Sequence, residues 1–241
     1  MGLKQSLGRW LIARLPFNRR TIDILRFEFG CLWQRLVNLL NPLYHRRVRA
    51  LRSRRNLSVN LGSGGRGLPG WINLDARASH ADQTIAFDVR RRLPFADGSV
   101  ARILAEHLIE HLDFRSDVPG VLDEFHRILR PGGVVRIVVP DAERYLQAYV
   151  ERSRDKFAAL GWNLTQLPHD IYTPMHIVNH TFHQEGEHQF GWDFDTLQWA
   201  LRQAGFGEIS RQTYNISRDP DLAIDRPEHA SYSLYVEAVK S

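Results

Sequence analysis

Three kinds of residue in this chain could do chemistry. The first is a glycine run, Gly62-Ser-Gly-Gly-Arg-Gly67, directly behind the apolar stretch Leu57–Leu61. Residues without a Cβ let the backbone turn sharply and let a ligand come close to the main chain. Positions 62, 64 and 67 fit the literal dinucleotide pattern G-x-G-x-x-G, which alone is a weak signal. The second kind is a set of acids that end short apolar stretches: Asp75, Asp88, Glu106 and Asp141. A carboxylate so placed can accept hydrogen bonds from hydroxyls or amines of a ligand. The third kind is histidine, of which there are 11. Near neutral pH an imidazole can take a proton from a reacting hydroxyl. His111 is the first candidate for that base, then His107 and His183, with Asp141 nearby.

These residues need a frame, and the apolar pattern predicts one. Leu57–Leu61, Trp71–Asp75, Thr84–Asp88, Ala101–Ala105 and Val134–Val139 read as short strands. An amphipathic helix is predicted over 117–129, ended by Arg130-Pro-Gly-Gly133. His107 and His111 are four apart, so a helix there would put them on one face. Strands alternating with helices or turns imply a parallel, doubly wound α/β sheet. Ligands in such sheets sit at the carboxyl ends of the strands, where Gly62, Asp75, Asp88, Glu106 and Asp141 all fall. Asp75 follows Gly67 by eight residues, which leaves no room for a full crossover helix. A nicotinamide-binding unit needs that helix, with its acid about 20 residues on.

Taken in order, the motifs NLGSGGRG, LPFADGSV, AEHLIEHL and LDEFHRILRPGGVVRIVVPD, with the strand-end acids at 75 and 88, resemble class I S-adenosylmethionine-dependent methyltransferases, and more narrowly the type 11-like group. The resemblance covers residues 57–141 and resumes at Phe194–Phe206, which is similar to the family's penultimate helix and AGF turn. Glu208–Gln212 and Ser231–Val239 resemble the antiparallel pair that closes its sheet. The resemblance implies a Rossmann-like, mostly parallel seven-stranded sheet and S-adenosyl-L-methionine as cofactor. It also implies roles. Gly62, Ser63 and Gly64 would approach the methionine part, Asp75 would accept from both ribose hydroxyls, Asp88 and Val89 would flank the adenine, and Glu106 would sit at the methionine end. The first motif position, usually acidic, is Asn60 here, which can position the amino group but brings no charge.

The net charge of +5 is unevenly spread. Residues 1–55 carry 13 Lys and Arg against Asp23 and Glu28, whereas 56–241 carry 19 basic and 25 acidic residues. The chain therefore reads as a basic amphipathic helical arm, 1–55, and a methyltransferase domain, 56–241. Helices are predicted over 3–15 and 21–40, the second with Ile22, Leu25, Phe29, Leu32, Trp33, Leu36 and Leu40 on one stripe, ending at Asn41-Pro42. Such an arm either packs on the domain or lies on an anionic membrane surface with its arginines among the headgroups. Nucleic acid is not expected, because no standard binding motif is present. The lone Cys31 permits no internal disulfide, and neither a signal peptide nor a spanning helix is read, so the cytoplasm is expected, with the inner membrane face as a peripheral site.

The acceptor side is expected from an insert at 142–191, helical at first and then loop-rich. His176, His180 and His183, with Asp141 or Glu185, could ligate a metal, but their spacing matches no standard zinc pattern and no metal is expected. The leading function is transfer of a methyl group to a hydroxyl on a sugar, glycolipid or other small molecule, as in polysaccharide modification. The alternatives are a dinucleotide-dependent oxidoreductase and a non-catalytic cofactor-binding or scaffold protein.

Overall fold

A computed structural model describes residues 18–76 and 84–241. The chain divides into two compact units, Met1–His45 and Arg46–Ser241. The helix expected over 3–15 lies outside the described residues. In the first unit α1 (Arg19–Leu40) starts at Asn18, whose side chain accepts from the Thr21 amide at 2.8 Å. Leu25, Phe29, Leu32, Trp33, Leu36 and Leu40 are all exposed on it. Helix α2 (Pro42–Ser53) follows at once and takes up most of the basic run. Pro42 ends one helix and begins the next, because a first-turn proline loses no intrahelical bond. Leu51, at the end of α2, is buried. No described helix is long and apolar enough to cross a membrane.

The second unit is one seven-stranded sheet of order β3-β2-β1-β4-β5-β7-β6. Its strands are β1 (Leu57–Leu61), β2 (Ile72–Asp75), β3 (Ile85–Ala86), β4 (Val100–Glu106), β5 (Leu129–Pro140), β6 (Glu208–Gln212) and β7 (Ser233–Val239). The first five run parallel, and β7 is antiparallel to both β5 and β6. Buried Val59, Leu61, Ile103, Val135 and Ile137 fill one face of the central strands, and Leu104, Val134 and Val138 lie on the other. Helices α3 (Val118–Ile128) and α7 (Phe194–Gln203) bury Val121, Leu122, Phe125, Leu197 and Leu201.

Three local expectations are corrected and one is extended. Arg130–Gly133 does not wholly separate helix from strand. Leu129 already pairs with Val100, the chain bulges with Gly132 at φ 73, and pairing resumes at Val134. The strand expected over 84–88 is only two residues long. The insert, helical at first and then rich in loops, carries two further helices that were not expected: α4 (Ala142–Val150) is followed by α5 (Arg154–Ala159) and α6 (Pro174–His183). Buried Tyr145, Phe157, Leu160 and Ile177 give it a small core of its own. Finally, Glu106–His111 is not a helix. His107 is left-handed at φ 52, and only Ile109–His111 forms a 3₁₀ turn.

One buried charge cluster ties the end of the chain to the sheet. Arg136 on β5 is fully buried and meets Asp225 at 2.5 Å and its cross-strand neighbour Glu237 at 2.7 Å. It also donates to the carbonyls of Thr213 and Ile216. The loop between β6 and β7 is thereby held back toward β4, which brings Arg226 and His229 to the site.

Candidate active site

Strand order reverses between β1 and β4: the chain runs outward through β2 and β3, then returns to the other side of β1. A crevice must open at the carboxyl ends of these two strands. The turn after β1 shows why glycines stand there. Gly62 has φ 67, and a Cβ on it would lie 2.9 Å from Leu108. Gly64 has φ 53, and a Cβ there would meet nothing within 4 Å, so its free side faces open space. The link from β1 to β2 holds only turns and no helix, as expected. A recess at this point is lined by Asn60, Gly62, Ser63 and Glu106, together with Arg66 and Arg226.

The polar groups around it are specifically engaged. The Asn60 amide donates to Arg66 O at 3.1 Å and to Asn73 Oδ1 at 3.0 Å, so its own Oδ1 is what it can offer a ligand. Ser63 Oγ lies 3.2 Å from Thr84 Oγ1. Asp75, at the end of β2, accepts the Gly64 amide on Oδ2 at 2.9 Å, which joins the carboxylate to the glycine turn. Asp88 is gripped by Arg90, at 2.9 Å on Oδ1 and 3.0 Å on Oδ2, with Val89 buried beside it. Burial would raise the Asp88 pKa, but the Arg90 hydrogen bonds outweigh it and hold the carboxyl below its ordinary value.

Glu106 is buried at the tip of β4 under a canopy that local sequence gave no sign of. Arg66 Nη1 lies 3.2 Å away, Arg226 donates from both Nε at 2.8 Å and its amide at 3.0 Å, and His229 Nδ1 lies 3.4 Å off. Desolvation works against ionisation, yet His229 and Arg226 together bring the carboxyl down to about 2. Glu106 is thus an anion at any working pH.

The two histidines of the 106–111 run part company. His107 turns inward, with Nδ1 2.9 Å from Glu110 Oε1 and Nε2 3.1 Å from Ser233 Oγ, and its ring packs 4.0 Å from His229. His111 is exposed and lies beside His188, ring centroids 4.9 Å apart. The cause is the left-handed residue at 107, which breaks the helical spacing assumed for the pair. His183, the last residue of α6, is exposed. Asp141 is buried and caps α4 through the Arg144 amide, while Arg211 binds its Oδ2 at 2.7 Å. Among the described residues His176, His180 and His183 do not gather into a metal-capable group. The one such group is Glu110, His111 and His188. Glu110 and His188 were not singled out from sequence, although Glu110 stands between two histidines that were.

The sheet order, the glycine turn after β1 and the acid ending β2 define a class I methyltransferase fold. Residues 70–137 match the family model described as Methyltransferase domain, of type 11. That match supports an S-adenosylmethionine-dependent methyltransferase and implies S-adenosyl-L-methionine as its cofactor. No curated protein matches the chain. Among solved structures it is similar to a SAM-dependent methyltransferase of Thermotoga maritima, described as a possible histamine N-methyltransferase, at 20% identity and TM-score 0.47 over 90% of this chain and 96% of that one. It is also similar to a SAM-dependent methyltransferase of Archaeoglobus fulgidus (14% identity, TM-score 0.47, 86% and 94% covered). A third likeness is 1,6-didemethyltoxoflavin-N1-methyltransferase of Burkholderia thailandensis, solved with 1,6-didemethyltoxoflavin and S-adenosylhomocysteine (14%, TM-score 0.44, 92% and 87% covered).

Proposed function

We propose that the enzyme methylates a hydroxyl oxygen on a sugar, glycolipid or other small molecule at the carboxyl ends of β1 and β4. The observation that carries this reading is the join between the two halves of the site. Leu108, between Glu106 and His111, is the residue on which Gly62 closes, so the histidine-bearing turn lies directly against the glycine turn. The residues present fit the cofactor: the free side of Gly64 leaves room for a ligand, and the Asp75 carboxylate is already fixed to that turn.

In this reading Gly62, Ser63 and Gly64 admit the methionine part of S-adenosylmethionine, with Asn60 Oδ1 toward its amino group. Asp75 accepts from the ribose hydroxyls. Asp88, held by Arg90, and Val89 border the adenine. Glu106 presents a permanent negative charge to the cationic end. Bound S-adenosylmethionine supplies an electrophilic methyl group on a sulfonium. The acceptor hydroxyl gives up its proton as its oxygen takes that methyl, and His111 is the first candidate to receive the proton. Its Nδ1 lies 3.1 Å from the Glu187 carbonyl, an acceptor only, so Nδ1 carries the hydrogen and Nε2 the lone pair. His107 has both ring nitrogens engaged, Asp141 is spent on Arg211 and the α4 cap, and His183 is the rival from the insert. Phe114 and Phe190, stacked at 4.4 Å, and the exposed Trp199 offer flat apolar faces of the kind on which a sugar ring rests.

The arm supports a second location-level reading. Exposed Phe29, Trp33 and Leu40 on α1, with Arg46, Arg47, Arg49 and Arg52 on α2, suit the surface of an anionic membrane at the inner face, where a lipid-linked acceptor would be presented. Calorimetric titration with S-adenosylhomocysteine and with NAD tests the core reading. Micromolar binding of the first and none of the second is expected, and the reverse result overturns it.

A further inference from the structure

We propose that Glu110, His111 and His188 form a binding site for a divalent cation of the zinc class. One ligand atom from each of the three lies within 4.8 Å of the others. Two histidine nitrogens and one carboxylate oxygen make a ligand set that zinc accepts while keeping a position open for a further group.

Three independent features point to a cation rather than to a chance cluster. The first is Glu110, which is 1% exposed. His107 approaches its Oε1 at 2.9 Å, but among the described residues Oε2 finds no hydrogen-bond partner. A buried carboxylate oxygen without a partner is costly, and a cation would satisfy it. The second is the tautomer of both rings. His188 Nδ1 lies 2.6 Å from Thr181 O, and His111 Nδ1 lies 3.1 Å from Glu187 O. Carbonyl oxygens only accept, so both hydrogens sit on Nδ1 and both lone pairs on Nε2. Metal-bound histidines are held by that same outer hydrogen bond. The third is the backbone. The amides of Gln189 and Phe190 both donate to Glu110 O, at 2.7 and 3.4 Å, so the insert is pinned where His188 meets the 3₁₀ turn.

The group also explains His107. His107-Leu-Ile-Glu-His111 has the H-x-x-E-H spacing of one zinc motif, but that motif needs a helix. Here the left-handed His107 contacts the Glu110 carboxylate at 2.9 Å from outside the group, and His188 from the insert is the second histidine within it. Ligands around tetrahedral zinc at about 2.0–2.1 Å lie about 3.4 Å apart. The group therefore closes slightly on a cation. The inference about binding rests on ligand chemistry alone. Its role in turnover rests on the proposed hydroxyl methylation. An acceptor hydroxyl coordinated at the open position would lose its proton near neutral pH, and His111 would serve as ligand rather than as base.

The test uses the full chain, stripped with chelator and titrated with Zn²⁺ against a competing indicator, then with Co²⁺ while its visible absorption is followed. One equivalent is expected to bind, with a d–d spectrum of low-coordinate cobalt. His188→Ala and Glu110→Gln should each weaken Zn²⁺ by more than the ~10–100-fold that loss of an outer partner costs, and His107→Gln should fall within that range. His183→Ala should bind as wild type does. Unchanged S-adenosylhomocysteine binding in each variant shows that the fold and the cofactor site are intact. Absence of stoichiometric Zn²⁺ binding overturns the proposal, as does binding that His188→Ala leaves untouched. Failure of the methyltransferase reading would show separately, as lost S-adenosylhomocysteine binding in wild type.

Discussion

Replacing Asp75 by alanine removes the carboxylate that the ribose hydroxyls would meet. A charge-assisted hydrogen bond contributes roughly 1.5–3 kcal/mol. Asp75 is only half-buried, so the lower figure applies to each of two bonds. The expected loss is about 3 kcal/mol, or about 100-fold in affinity for S-adenosylhomocysteine. The same change also frees the Gly64 amide that Oδ2 now accepts at 2.9 Å, which loosens the turn. Asp75→Asn separates the two effects, because its amide oxygen still accepts from Gly64 while the charge is gone. About tenfold weakening is expected there. Isothermal titration of both variants, with thermal melts as controls, reads the difference. If Asp75→Ala binds within about threefold of wild type and melts normally, the carboxylate does not touch the ribose and the assignment is refuted.

Glu106 should make the enzyme acid-labile. Its carboxyl is brought down to about 2 from an ordinary 4.5, so the stability it contributes is complete above about pH 4.5 and is lost as pH falls toward 2. That is roughly 3 kcal/mol, and urea midpoints at pH 7 and pH 3 should fall more in wild type than in Glu106→Gln. Gly62→Ala meets Leu108 at 2.9 Å in a left-handed conformation and should cost about 1–3 kcal/mol by denaturant melt. Arg136→Met alone leaves Asp225 and Glu237 buried and unpaired, and a loss of about 3–5 kcal/mol is expected in the same measurement. A chain beginning at Asn56 gives up the buried Leu51 but should still bind S-adenosylhomocysteine and lose its hold on anionic liposomes; equal liposome binding with and without the arm would remove the membrane reading.

Sequence by itself determined what local physics controls. Alternating apolar stretches and turns dictated the parallel sheet, and Glu208–Gln212 was legible as a strand to the residue. The short span from Gly67 to Asp75 excluded a crossover helix. The glycine turn was readable because positive φ at Gly62 and Gly64 is a property of single residues. The pairing of His107 with His111 was misjudged for the converse reason. One left-handed histidine changes the phase of everything after it, and a histidine adopts that conformation too seldom for its residue type to announce it. The rest depended on contacts across long chain separations. Arg226 reaches Glu106 across 120 residues because buried Arg136 draws the β6–β7 loop inward. His188 reaches Glu110 because two amides of the insert bond its carbonyl. Neither meeting leaves a periodicity or a spacing in the sequence, since each is decided by how separate elements pack once the sheet has formed.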